Sequence, residues 1–270
     1  MRLVNLHPDR ASAIALGVLP FVILLFTYVL GSNARLAENP DDKLLPSGSS
    51  LVASVRAYAL EEDRRSGQRL LWADTAASMK RIGYALAISA AIGIALGVAI
   101  GTVPYIRSLL APLVAALSMI PPLAILPILF VVLGLGETAK IALIVIGITP
   151  VIVRDLALRA SELPQEQLIK AQTLGASSWL LATRIILPQL LPRLLDATRL
   201  QLGAAWLFLI AAEAIASTEG LGYRIFLVRR YMAMDVIIPY VVWITAIAFA
   251  MDWGLRALRA RLFPWAGDAK

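Results

Sequence analysis

The chain reads as an all-α, polytopic membrane protein with six transmembrane helices, and three observations predict this. First, hydrophobic residues fill 59% of its 270 positions and charged ones only 16%, with a mean hydropathy of +0.77. A soluble domain sits nearer 45–50% apolar and about 25% charged, so the bilayer is the expected solvent. Second, several stretches reach the roughly 20 mostly apolar residues that a spanning helix needs. Third, the polar segments between them split unevenly in charge, with arginine concentrated in those that fall on one side, as positive-inside topology requires.

The first apolar run, Ala11 to Leu30, is longer than the roughly 7–15 residues of a signal-peptide core and lacks a small-residue cleavage site close behind it. It reads as an uncleaved span. Gly31 to Arg81 is polar and holds a turn signal, Leu45-Pro46-Ser47-Gly48-Ser49. Helical stretches from about Leu51 to Asp63 and from about Leu70 follow, expected as amphipathic helices on the membrane surface. The cluster Glu61, Glu62, Asp63, Arg64, Arg65 reads as a solvated face.

Ile82 to Val103 is the second span. Gly93, Gly97 and Gly101 stand at two GxxxG spacings, which let helix backbones approach closely. The third span, Leu109 to Leu133, is interrupted by Pro121-Pro122 and Pro127. Proline removes an amide donor, and in lipid the freed carbonyls need protein or a wet cavity. A broken span beside a pathway and a simple kink stand about equal, with Pro121 and Pro122 as pathway or gate candidates. The fourth span, Ala139 to Val153, is expected to be short and kinked at Pro150. The fifth runs Ala197 to Ile215 and the sixth Val236 to Trp253.

With both termini on the cytoplasmic side, that side receives Arg2, Arg10, Arg107, Arg154, Arg159, Lys170, Arg184, Arg193, Arg199 and the C-terminal arginines. The opposite short loops keep only Lys140, Arg224, Arg229 and Arg230. The organisation expected is therefore 1–81 as an anchor span with an amphipathic extracytoplasmic segment, 82–256 as the core, and 257–270 as a cytoplasmic tail. The formal charge of +7 belongs to cytoplasmic loops; no basic stripe interleaved with aromatics suggests nucleic acid. Cysteine is absent, which removes disulfides and thiolate chemistry. The lone His7 is an incidental tail residue, and no metal-ligand spacing exists.

The charged loop at about 154–196 is the most informative stretch. Pro164 suits a first helical turn, Gly175 supplies a left-handed stop, and Ser177 or Ser178 caps a second helix that is expected to end at Leu187 before Pro188. Leu168, Ala171, Leu174, Leu180 and Leu181 fall at helical spacing. Such a knuckle suits helix-in-groove docking to a partner, and nearly as well an interfacial helix lying on lipid. Glu213 is the only carboxylate well inside a span. It is either a pathway residue, as intramembrane charges often are, or the partner of Arg224, Arg229 or Arg230, the reading slightly preferred.

Glu166 to Pro188, with Leu174-Gly175-Ala176-Ser177 and Ile186-Leu187-Pro188, resembles the EAA coupling loop of ABC-importer permeases. The resemblance covers most of the chain. LLPSGSSL at 44–51 is similar to the family's LPSP segment, and SMKR at 78–81 to its SLGR. SMIPPLAILPILFVVLGLGETAKI at 118–141 is similar to IPPLALLPLFILWFGIGELSKI, and AAEAIASTEGLGYRI at 211–225 to VAEMLGASSGLGYLI. The branch is the nitrate, sulfonate, taurine and bicarbonate type. The motif's three name letters are here Ile169-Lys170-Ala171, so only Ala171 is kept, while Glu166 and Gly175 stand in place.

The resemblance implies a type I ABC importer permease fold in a bacterial inner membrane and a two-fold dimer of this chain, or pairing with a paralogous permease. Two ATP-binding ABC subunits would dock at Glu166, Lys170, Ala171, Leu174, Gly175, Ala176 and Ser177. A periplasmic or extracytoplasmic substrate-binding protein would supply the cargo. ATP and Mg would be bound by the ATPase, since this chain lacks a Walker-type glycine-rich loop; no cofactor is expected here. The Ala205 to Asp235 region also resembles a branch associated with urea-like or guanidinium-like nitrogen compounds, which a pathway carboxylate would suit. Rivals of other classes are an embedded enzyme, a secondary transporter, which would usually show an internal repeat, and a membrane scaffold.

Overall fold

Among the described residues twelve α-helices and one π turn build the chain, with proline or glycine at several of their ends. The computed structural model describes residues 8–40, 42–64 and 66–267; Arg2, His7 and Arg65 lie outside the described residues. Among the described residues, regular structure is entirely helical: α1 (Arg10–Glu38), α2 (Gly48–Leu60), α3 (Leu70–Thr102), α4 (Pro104–Leu117), α5 (Pro122–Leu133), α6 (Glu137–Ser161), α7 (Gln165–Thr173), α8 (Ser178–Leu180), α9 (Leu187–Leu200), α10 (Leu202–Ala216), α11 (Leu221–Arg229) and α12 (Met234–Leu262). Four of these, α1, α3, α6 and α12, are long and apolar enough to cross a membrane alone. The pairs α4–α5, bent by 95°, and α8–α10, bent by 47°, bring the number to six if each is one span.

The chain divides into two compact units, the first comprising the residues up to Arg69 with Val228–Val241 and the second Leu70–Leu227 with the residues from Val242 on. In the first unit, Ser32 donates to the carbonyls of Leu45 (3.0 Å) and Pro46 (3.1 Å), and Tyr28 donates to Pro46 (2.8 Å). These bonds tie the Leu45–Ser47 turn back to α1. Ser47 caps α2 by accepting from the Ser50 amide. Asp42 accepts from the Leu44 amide at 3.0 Å and pairs with Arg35, which together hold its carboxyl below the ordinary aspartate value. Ser54 on α2 donates to Asp235 at 2.7 Å.

In the second unit, α3 and α6 run parallel and nearly touch. A Cβ at Gly93 would lie 2.6 Å from Ile152 Cγ2, one at Gly97 2.6 Å from Leu156 Cβ, and one at Gly101 would collide with Ala160. Lipid tails are as apolar as leucine, so burying Ile148, Ile152 and Leu156 gains little by hydrophobicity there; close backbone approach and dispersion hold such helices instead. Thr149 also donates to Ser89 across the buried seam at 2.9 Å. Gly147 makes equal room for the Phe208 ring of α10.

Several boundaries differ from the sequence reading. The stretch from Leu70 is no separate surface helix: it is the first third of α3, and its polar residues Asp74, Ser78 and Arg81 point into the bundle, not toward solvent. The fourth span is not short: α6 has 25 residues and passes through Pro150 unbroken. The third span does break, with the chain leaving α4 through a tight turn, Met119 N to Ala116 O (3.1 Å) and Ile120 N to Leu117 O (3.3 Å), before Pro121 and Pro122.

Candidate functional site

Opposite ends of the α3–α6 pair carry two different constructions. At the C-terminal end of both helices stands the knuckle. Pro164 is the N-cap of α7, one position before the helical start expected of it. Gly175 adopts φ +83°. Its amide bonds Gln172 O (2.9 Å) and the next amide, of Ala176, bonds Ala171 O (3.0 Å), the paired bonds of a Schellman stop. Ser177 then caps α8, accepting from the Leu180 amide at 3.3 Å.

Pro188 does not end the second arm. The helix widens into a π turn over Leu181–Ile186, with Leu187 N bonding Ala182 O, and runs on as α9. A wider turn tolerates a residue that has no amide to donate. Gln189 donates to Ile185 O (2.9 Å) and to Gln167 Oε1 (3.3 Å), linking α9 to α7.

The knuckle has two apolar faces. Leu168 packs inward toward Ala160, Ile186 and Leu190, and Leu181 is buried. Leu174 (87% exposed), Trp179 (76% exposed) and Ile169 face outward. Glu166, Lys170, Ala176 and Ser177 lie along the same outer ridge as exposed or half-exposed residues, with Ala171 half-buried. Trp179 did not stand out in the sequence, because its helical register depends on where the π turn begins.

At the other end lies a buried ion network centred on Glu213, which is fully buried. The expected partners Arg224, Arg229 and Arg230 are not the ones it binds. Arg81 of α3 donates to Glu213 Oε1 at 2.7 Å, Ser78 donates at 2.8 Å, and the Gly222 amide donates to Oε2 at 2.8 Å. Arg81 also bonds Glu137 through Nε (2.5 Å) and Nη2 (2.9 Å) and the carbonyl of Glu219 (2.9 Å). Lys140 joins Glu137 at 2.8 Å.

Arg224 pairs with Asp74 instead, at 2.8 Å, while Asp74 accepts the Gly220 amide at 2.9 Å. Gly220, at φ +124°, has the Glu213 carboxylate where its Cβ would be. Three stretches that carry the resemblance, 78–81, 134–141 and 211–225, thus converge here. Arg81, Ser78, Asp74, Glu137 and Lys140 were not singled out from the sequence, although their recurrence in those stretches was a signal. Further hydrogen bonds offset the desolvation of the buried pair, and the Gly220 and Gly222 amides tie the turn between α10 and α11 to Asp74 and Glu213.

Pro121 and Pro122 sit at the break between α4 and α5. Facing this break across the bundle is Arg154 of α6, which donates to Ser118 Oγ at 2.7 Å. Gly93, Gly97 and Gly101 lie on the α6-facing side of α3, as described above. Among the described residues, no group of three or more His, Cys, Asp or Glu could hold a metal ion.

Residues 89–264 match the family of binding-protein-dependent transport system inner membrane components. The taurine transport system permease protein TauC of Escherichia coli is 38% identical over 200 residues, covering 74% of this chain and 73% of that one. The bicarbonate transport system permease protein CmpB of Synechocystis is 29% identical over 255 residues, covering 92% and 87%. The solved structure of the methionine ABC transporter MetNI in inward-facing conformations aligns with a TM-score of 0.54 at 22% identity, covering 70% of this chain and 94% of that one, which is a likeness of fold.

Proposed function

Because this chain belongs to the binding-protein-dependent transport system inner membrane components, and is therefore a multi-pass transport subunit powered by a separate ATPase, we propose that it forms the pathway of an importer for a small oxoanion such as a sulfonate or bicarbonate. Two copies of the chain line the pathway, embedded in the lipid of a bacterial inner membrane with both termini cytoplasmic. Each copy presents its knuckle to one ATPase subunit, which binds ATP and Mg; this chain binds no cofactor. A substrate-binding protein delivers cargo at the Glu213 end.

The observation that carries the coupling role is the outward face of the knuckle. A Schellman-closed, serine-capped corner with Leu174 and Trp179 almost fully exposed is a preformed anchor for a cleft in a partner, the helix-in-groove mode. Ligand-like anchors of this size dominate interface energy when they are buried on binding. Glu166 and Lys170 flank the anchor and set its polar contacts, with Lys170 altering those that the family's motif letter would make.

The oxoanion reading rests on the relatives named for taurine and bicarbonate. The urea-like or guanidinium-like alternative drew on a carboxylate free to meet a cation in the pathway. Glu213 is instead engaged by Arg81, Ser78 and Gly222, so that support is gone. An embedded enzyme or a scaffold has no comparable support.

The test is uptake. Proteoliposomes with the permease, its ATPase and its binding protein should accumulate taurine or bicarbonate only with ATP present, and an L174D variant should lose both ATPase co-purification and uptake. Uptake without any ATPase, or an L174D chain that still retains the ATPase, would refute the coupling role.

A further inference from the structure

We propose that Arg154 is the pathway residue that meets the cargo's negative charge, in the cavity that α3, α4 and α6 enclose. This rests on the reading of the cargo as a small oxoanion. The cavity, of about 560 Å³, is formed by α3, α4 and α6. Its wall is apolar along Ala111, Ala115 and Val151, and its charged residues are Arg107, Arg154 and Asp155.

The three charges are not equivalent. Arg107 is committed to the end of its own bundle, donating to Ile100 O at 3.1 Å and Gly101 O at 2.5 Å. Asp155 faces Arg159 at 3.8 Å. Among the described residues, Arg154 makes one hydrogen bond, to the neutral Ser118 hydroxyl, and its side chain is otherwise exposed. It therefore presents the one cation of the cavity without a carboxylate or carbonyl partner among the described residues.

Arg154 closes the apolar run Ile141–Val153, about 25 Å along α6 from Glu137 at 1.5 Å per residue. At the cytoplasmic end of a span an arginine is well tolerated, and one turned toward a wet cavity marks an ion or solute route. A planar guanidinium offers two parallel donors, which match two oxygens of a sulfonate, carbonate or nitrate. A lone bidentate contact in an open cavity is weak, and a conducting site must be weak enough to let its ion leave.

The same guanidinium could meet the headgroup of an anionic lipid, or simply hold the C-terminus of α4 through Ser118. One experiment separates these. ATP-loaded proteoliposomes of the assembled transporter are assayed for uptake of taurine, bicarbonate and nitrate and for ATP hydrolysis stimulated by the binding protein. R154Q should lose uptake by about tenfold or more, the scale of one charged hydrogen-bond partner, while stimulated hydrolysis stays near wild type. R154K should fall between the two, and S118A should transport normally.

The R154Q defect should be the same in phosphatidylcholine alone and with phosphatidylglycerol added. Normal uptake by R154Q overturns the proposal. So does a joint loss of uptake and stimulated hydrolysis, an S118A defect equal to that of R154Q, or a defect confined to vesicles with anionic lipid. A wild-type transporter that moves none of the three anions overturns the cargo reading and this site together. Wild-type uptake with an unaffected R154Q overturns the site alone.

Discussion

At one end of the α3–α6 pair Arg81 is 2% exposed and has every donor direction occupied by Glu213, Glu137 or Glu219; at the other, Leu174 is 87% exposed. The first end is closed upon itself. Its buried pair, Arg81 of α3 and Glu213 of α10, is ringed by further partners, with Glu137 of α6 closing it toward solvent. The second end is ordered by local bonds but keeps its large apolar side chains outside. A region that satisfies itself serves the fold, and a region that is rigid yet incomplete serves a partner. The difference locates where this chain is built to endure and where it is built to engage.

The sharpest way to break that contrast is at Arg81. R81A should leave Glu213 buried and unpaired, costing about 3–5 kcal/mol, seen as a collapse of yield and of thermal stability in detergent. A mild effect would mean that the network is not the keystone. E213Q should cost less, about 1–3 kcal/mol, because the amide keeps one acceptor for Arg81; transport and assembly measured separately would show whether the loss is purely structural.

At the knuckle the signature should invert. L174D should weaken ATPase attachment by about 2 kcal/mol or more while the unfolding midpoint hardly moves. G175A forces a side chain into the left-handed region at φ +83°, costing about 1–2 kcal/mol, and should weaken docking by loosening the corner; unchanged attachment and uptake would sink the knuckle as coupling element. The smallest effect serves as a control outside both ends. The lowered carboxyl of Asp42 stabilises its turn fully above the ordinary value of 3.8 and loses that contribution as pH falls through its folded value. The protection of the Leu44 amide relative to its intrinsic exchange rate should fall only in acid, with that of the knuckle amides unchanged.

What the sequence disclosed follows the same division. The Gly175 stop and the Ser177 cap are written in adjacent residues, so short-range rules found them. The glycines at 93, 97 and 101 showed through their period. The Arg81–Glu213 pair joins residues of α3 and α10, and no local rule links positions that far apart. The stretch from Leu70 that carries Asp74, Ser78 and Arg81 reads as an amphipathic surface helix because polarity alone cannot tell water from a buried counter-charge. Pro188 was read as a terminator because a proline usually ends a helix, and only the neighbouring π turn shows how it was absorbed.

That wide turn has a further consequence. A helix with one residue to spare is rotated by roughly 100° relative to its unbroken form, so Leu181–Ile186 sets the compass bearing of Trp179 against everything beyond Leu187. Removing a single residue there would leave every other side chain intact yet aim the indole at a different quarter of the molecule.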